Sequence, residues 1–425
     1  MKGVIAFILV FGIIVLVHEF GHYFFAKRAG ILVREFSIGM GPKLFWHRSH
    51  GTTYTIRILP LGGYVRMAGT ADDEDELEPG TMATLEMNDQ GVVTTINTSD
   101  KATNVSGIPV QVAKSDLEKE LWIEGYENGD ESSLKRYSVD HDALIVEKDG
   151  TVVQIAPLDV QFQSASLPKR MLTNFGGPLN NFLLGIITFM IMAFVNGGAP
   201  NTDQTMIAQV QADSPAMVAG LHAKDIVEKV DGKAVAGLSD FSKQIQGKAD
   251  QDVQVQVLRN GRRRTLTVKP HTVTQEGKKV TQIGVVVSPG LDTSFMAKVK
   301  YGFTETWYII THILQILGSF FTGGFSLNKL GGPVAIYQAS SQAASFGWIS
   351  VVTMMASLSV NLGLMNLLPI PALDGGKLLL NIIEGVRGKP ISEEKEGVIT
   401  LIGFGLLLLL MVAVTWNDFQ RLFTH

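Results

Sequence analysis

The chain has 425 residues, 46% of them hydrophobic and 18% charged, with a formal net charge of −4. So apolar and segmented a chain is not one soluble domain, and its near-neutral charge balance gives no sign of the footprint a nucleic-acid partner would need, so that class is discarded. It has no cysteine, which removes both disulfides and thiolate metal ligands, so any bound metal is held by nitrogen and oxygen.

The first element is an apolar run from Val4 to Ala26 whose only acidic, basic or imidazole side chains are His18, Glu19 and His22. About 20 apolar residues span a bilayer. Met1-Lys2 imitates the start of a secretory signal, but no small-residue cleavage site follows and Lys27-Arg28 close the run. It therefore reads as an uncleaved transmembrane helix over residues 1–28. On a helix, His18 and His22 stand one turn apart and offer two imidazoles to one metal, with Glu19 beside them. On a solvated face that spacing would mean little. In hydrocarbon, where a carboxylate costs at least ~2.5 kcal/mol, it marks a site. Neutral imidazole with a carboxylate suits zinc, which leaves a fourth position to water.

Residues 29–69 are basic: Arg34, Lys43, Arg48, Arg57 and Arg66, together with Lys27 and Arg28 just before them, face the single acid Glu35, which places this side of the membrane in the cytoplasm. Within them, Tyr54 to Met67 reads as a β-hairpin about the turn Pro60-Leu-Gly62-Gly63. An acidic run, Asp72 to Glu78, reads as a solvated loop. It opens a cytoplasmic, β-rich accessory insert over residues 70–174. A second span is expected at Pro178 to Val195 (region 175–199). Ile207 to Val287, inside region 200–290, alternates in short runs separated by Asp231-Gly232 and Asn260-Gly261, and predicts a small β-domain. Residues 291–345 predict amphipathic linker helices. Phe303 to Phe321 has a helical apolar stripe interrupted by Glu305, His312 and Gln315, so it reads as interfacial or bundle-packed, with His312 at headgroup level rather than on a metal.

Trp348 to Leu368 is the third span, in region 346–376, and it runs into Asn361-Leu-Gly-Leu-Met-Asn366-Leu-Leu-Pro369-Ile-Pro371-Ala-Leu-Asp374-Gly-Gly. The prolines end the helix, and Asp374 emerges where non-helical backbone at membrane depth must line a watery cavity. Taken alone, the same motif fits a loop cap outside the membrane, since Asp-Gly is common in turns. A cytoplasmic loop at 377–396 and a fourth helix at 397–425, apolar from Gly397 to Val414, complete the chain. With four spans, Asp374 and the two histidines fall in the same, cytoplasmic half; a fifth span at Phe303 to Phe321 would put them on opposite faces.

His18-Glu-x-x-His22 in the first span, with Asn366-x-x-Pro-x-Pro-x-Leu-Asp374-Gly in a later one, resembles the site-2 protease family of intramembrane zinc metalloproteases. Gly177-Pro178-x-x-Asn181 extends the likeness. The resemblance implies Zn2+ on His18, His22 and Asp374, Glu19 as catalytic base, and Asn361 and Asn366 against the substrate backbone or the oxyanion. An asparagine in a membrane helix otherwise simply bonds to a neighbouring helix. The stretch from Ser214-Pro-Ala to Asp231-Gly232 looks like a bacterial PDZ domain, which takes an extended chain end as an added strand; a purely structural β-domain is the alternative. With one such domain, the chain looks more like the single-PDZ, Gram-positive type of that family.

The fold implied is a polytopic α-helical protein of about four transmembrane helices, with a membrane-associated β-hairpin and an inserted extracytoplasmic PDZ domain. It would be a multi-pass protein of the cell membrane, in contact with lipid. The expected activity is zinc-dependent cleavage of the transmembrane segments of single-span proteins, such as anti-sigma factors or signal-peptide remnants, after an upstream site-1-type protease has acted. A transporter with a polar midplane site would explain buried His, Glu and Asp but not their spacing, and no inverted repeat is present. A PDZ scaffold would explain the domain but not the trio.

Overall fold

Helix α1 (Lys2–Ala29) is helical throughout and buries one stripe, Ala6, Val10, Ile14, His18 and His22, while Ile5, Leu9, Leu16 and Phe20 face outward. A helix with apolar residues all round is suited to lipid rather than water. The computed structural model of the chain describes residues 2–69, 77–99, 107–148, 150–275, 278–324 and 326–423. The acidic run that starts at Asp72 lies outside them as far as residue 76. Among the described residues, four helices are long and apolar enough to cross a membrane: Lys2–Ala29, Leu167–Val195, Trp348–Asn366 and Glu394–Arg421. The chain forms two compact units, one of Met1–Gly185 with Tyr308–His425, the other of Ile186–Trp307.

In the first unit, strands β1 (Val33–Ser49) and β2 (Thr52–Met67) follow α1 and, among the described residues, pair only with each other. The hairpin turn is at His50-Gly51, where Ser49 pairs with Thr52, and not at Pro60-Leu-Gly-Gly. This corrects the expectation. His50 (φ 49) and Gly51 (φ 75) supply the two left-handed residues a tight hairpin requires. Pro60 to Gly63 instead carries β2 across to the other flank of β1: Glu35, Phe36, Ser37 and Ile38 pair with Thr53 to Ile56 on one side and with Arg66 to Gly63 on the other. Residues 63–67 thus form an edge.

The insert holds β3 (Met82–Met87), β4 (Val93–Asn97), β5 (Ile108–Asp116), β6 (Trp122–Glu127), β7 (Leu134–Val146) and β8 (Val152–Gln154). Their order is β4-β3-β5-β6-β7-β8, and a further β4–β7 pairing closes the first five into a barrel. Leu85, Val93, Ile96, Val110, Val112, Ile123 and Ile155 fill it. Closure removes the exposed strand edges that an open sheet would leave. The barrel is tied to the hairpin, where Leu32 N–H donates to Val160 O and Phe162 N–H to Ala68 O.

Helix α2 (Leu167–Val195) begins well before the expected start at Pro178, which lies inside it. The second unit contains β9 (Ala199–Val210), α3 (Pro215–Val218), β10 (Ile226–Val230), β11 (Lys233–Ala234), α4 (Leu238–Ile245), β12 (Val253–Arg259), β13 (Arg262–Val268), β14 (His271–Gln275), β15 (Lys278–Gln282) and β16 (Val285–Asp292). The sheet runs β13-β12-β10-β9-β16, and its core gathers Ile207, Leu221, Val230, Phe241, Val255 and Val257. Asp225, fully buried, accepts two hydrogen bonds from Arg259, each 2.6 Å.

The remaining helices are α5 (Phe295–Phe321), α6 (Pro333–Phe346), α7 (Trp348–Asn366), α8 (Asp374–Arg387) and α9 (Glu393–Phe423). Two details differ from the sequence reading. Helix α7 ends at Asn366, before either proline, and much of the expected 377–396 loop is helical, because Asp374 opens α8.

Candidate metal centre

Asp374 is carried to the histidines by a strained turn. Ala372 sits at φ 76, a conformation that L side chains rarely adopt, two residues before it. The result is a triangle of ligand atoms: His18 Nε2 lies 3.3 Å from His22 Nε2, and Asp374 Oδ2 lies 3.3 Å from each. These three are the only group of such residues among the described ones whose ligand atoms all fall within 4.8 Å of one another.

The arrangement fits zinc on two counts. Donors held tetrahedrally at ~2.0–2.1 Å from one ion stand ~3.3–3.4 Å apart, the side of this triangle. In addition, Asp374 Oδ2 is buried with no hydrogen-bond partner, and a buried unpaired carboxylate oxygen is costly unless a cation meets it. The far side of the His22 ring agrees, since Nδ1–H donates to Thr173 O at 2.8 Å. That bond puts the proton on Nδ1 and leaves Nε2 free for a metal.

Helix α2 makes the site possible by its closeness to α1. Gly21 and Gly176 meet so tightly that a Cβ on either would collide with the other's backbone, and Gly177 borders the Nε2 atoms of both histidines. Glu19 lies in the cavity wall beside the triangle. The Gly63 backbone rests on its stem, where a Cβ would come within 3.0 Å of Glu19 Cγ. The edge formed by residues 63–67 therefore runs past the Glu19 side chain.

The cavity over the site has a volume of about 1220 Å³ and is walled by α1, by the edge strand through Gly63 and Tyr64, and by Ile316, Met411 and both Asn361 and Asn366. Asn366 Nδ2 stands 3.5 Å from His18 Nε2, whereas Asn361 lines the wall only. His312 is exposed, stacked on Tyr308, and takes no part in the triangle.

Some contributors carry no sequence signal. Arg57 organises the hairpin: its guanidinium donates to Glu35 (2.8 Å), Tyr64 OH (2.6 Å), Gly41 O (2.6 Å) and Ser37 Oγ (3.1 Å). Burial pushes the Glu35 carboxyl up, but hydrogen bonds from Thr55, Arg57 and Tyr64 outweigh it and hold the group below the usual carboxylate range. Arg170 on α2 clasps Glu384 on α8 with two bonds of 2.5 and 3.0 Å, both side chains mostly buried. The Thr173 acceptor is a backbone atom, invisible to any motif.

Two histidines at the HExxH spacing on a membrane-length helix, met by an aspartate from the start of the distant helix α8, form the ligand set of a membrane-embedded metalloprotease. Peptidase family M50 matches residues 6–410, and the chain belongs to this family, the site-2 proteases. It is 54% identical over the full length of both chains to the Enterococcus faecalis protein named "Probable protease eep". Proteins of Lactococcus lactis and Streptococcus pyogenes serotype M1, both with "zinc metalloprotease" in their names, are each 48% identical, again over the full length of both chains. Among solved structures, the PDZ domain of an SdrC-like protein from Listeria innocua is 25% identical, covering 20% of this chain and 93% of its own, with a TM-score of 0.18. The chain is thus a zinc metalloprotease and a membrane protein.

Proposed function

We propose that the protein is a multi-pass protease of the cell membrane that cuts the transmembrane segments of single-span proteins, with anti-sigma factors and signal-peptide remnants as the substrate class. The observation that carries this reading is the 3.3 Å triangle of His18, His22 and Asp374 at the base of a large, mostly apolar cavity beside Glu19.

His18, His22 and Asp374 hold the zinc in this reading. Bound there, the ion supplies the positive charge that brings the pKa of water towards ~7. Glu19 takes the proton of the attacking water and returns it to the amide nitrogen as the peptide bond breaks. Asn366, next to His18, donates to the scissile carbonyl oxygen as negative charge builds on it, and Asn361 holds the substrate backbone further along the wall. A helical substrate must unwind first, because its amides are hydrogen-bonded. The edge at residues 63–67 offers replacement partners by strand addition. Exposed Leu44, Phe45, Trp46 and Ile58 on the hairpin seat it in lipid.

The β-domain of residues 200–290 acts in this reading as an extracytoplasmic PDZ domain that excludes substrates an upstream site-1-type protease has not yet shortened. Deleting Ile207 to Val287 should admit uncut substrates, and unchanged selectivity would remove that role. The central test incubates purified protein with a labelled transmembrane peptide, with and without chelator. Cleavage should depend on metal, and Glu19→Gln should lose ~10²–10⁴-fold in rate while keeping its zinc. Cleavage that survives chelation or the Gln variant rules the reading out.

A further inference from the structure

Both metal-facing histidines need something to hold the proton on their other ring nitrogen. For His22 this is the Thr173 carbonyl at 2.8 Å. For His18 the atom opposite Nδ1 belongs to Asn181, whose side-chain amide lies 3.2 Å away. Asn181 is completely buried, its Oδ1 has no hydrogen-bond partner, and its backbone carbonyl accepts from Ser359 on α7 at 3.0 Å.

As placed, the amide turns Nδ2, a donor, towards His18 Nδ1. That polarity requires Nδ1 to accept and Nε2 to carry the proton, and a protonated Nε2 cannot face a metal. The oxygen and nitrogen of an asparagine are distinguished only by the network around them. A half-turn of the amide presents Oδ1 to Nδ1–H, uses the orphaned acceptor and leaves Nε2 free at the triangle.

We propose that Asn181 is a positioning residue whose Oδ1 accepts from His18 Nδ1–H and so fixes the tautomer and ring angle in which His18 can ligate zinc. It does for one histidine through a side chain what Thr173 does for the other through the backbone. The inference rests on the zinc reading above and adds a role to it: polar partners of ligand histidines typically set metal affinity by ~10–100-fold.

The test measures zinc affinity of the full-length protein in detergent by competition with a chromophoric chelator, for wild type, Asn181→Leu, Asn181→Asp, His18→Ala and Asp374→Asn. Asn181→Leu has the shape but no acceptor and should weaken zinc ~10–100-fold. Asn181→Asp can only accept and should keep or tighten it. If Asp weakens binding as much as Leu, the amide acts as a donor and the proposal is wrong. If Leu binds zinc like wild type while His18→Ala and Asp374→Asn do not, the proposal falls and the zinc reading stands. If His18→Ala and Asp374→Asn also bind normally, the zinc reading itself falls. Should the Leu variant not fold, histidine-selective ¹⁵N spectra of the metal-free wild type decide. His18 with its proton on Nδ1 supports the assignment, and on Nε2 overturns it.

Discussion

Gly177→Ala adds one methyl group at the most crowded point of the site. Built on the existing backbone, its Cβ would lie 2.8 Å from His18 Cε1 and 2.9 Å from His18 Nε2, and closer still to His22 Nε2. Non-bonded carbon contacts are comfortable from ~3.5 Å. The His18 ring must therefore retreat by more than ~0.5 Å and the His22 ring further, whereas a metal site tolerates about ±0.2 Å in its donor distances. The ligand triangle should open although the helices stay packed, since overpacking of this kind costs ~1–3 kcal/mol and not the fold. After dialysis against a zinc buffer that keeps wild type loaded, elemental analysis of Gly177→Ala should find little metal. Cleavage of the labelled peptide should fall to the level of Glu19→Gln. Gly12→Ala on α1, where a Cβ would meet nothing within 4 Å, is the control and should be neutral. Full zinc occupancy in Gly177→Ala would show that the methyl does not reach the donors, and the close packing of α2 on the site would be wrong.

Two perturbations away from the metal follow. Arg170→Leu strands the buried Glu384 carboxylate and should destabilise the protein by ~3–5 kcal/mol, most of it recovered in the Arg170→Leu, Glu384→Leu double variant; denaturant titration in detergent reads both, and additive losses would contradict a direct pair. In the second unit, burial pushes the Asp225 carboxyl up but hydrogen bonds from Arg259 and the His222 N–H prevail, so its folded pKa lies below the unfolded one. The stability it confers is therefore complete above the unfolded value of ~3.9 and is lost as pH falls through the lower, folded value. Hydrogen exchange at residues 226–230 in the intact chain should accelerate below about pH 4, a response absent from Asp225→Asn, which should be less protected at neutral pH. An unchanged profile in the variant would assign the acid response elsewhere.

How far the sequence disclosed this structure depended on what held each part together. The first span and its histidines were legible because hydropathy and a four-residue spacing are local properties. Asp374 was legible as a residue but not as the first residue of α8, since two prolines read as a break and the helix beyond them is amphipathic rather than apolar. The hairpin turn was misplaced because Pro-Leu-Gly-Gly is the stronger turn pattern in composition; His50-Gly51 forms the turn because register with β1 closes there. Barrel closure of the insert rests on β4 pairing with β7, a non-local contact that no alternation pattern reveals. Thr173 contributes a carbonyl, an atom every residue has. Arg57, Arg170 and Glu384 looked like ordinary charges until their partners, 22 and 214 positions away for Glu35 and for the Arg170–Glu384 pair, were in place.

The links that gather the three ligands do not themselves require the metal. Helix α2 touches α1 through Gly21 and Gly176, hydrogen-bonds His22 through Thr173, lies against His18 through Asn181, and is ion-paired to α8 through Arg170. All of these contacts fall within the first four turns of one helix, so the site is framed by packing and is not folded around its ion. A zinc finger, by contrast, unfolds without its metal because it has no such frame. Chelation of this protein should therefore abolish cleavage reversibly while near-ultraviolet circular dichroism persists. The loss in stability should not exceed the binding linkage, about 4 kcal/mol when free zinc stood at a thousand times its dissociation constant. Collapse of the tertiary signal on chelation would mean that α1 and α8 are held by the ion and not by α2.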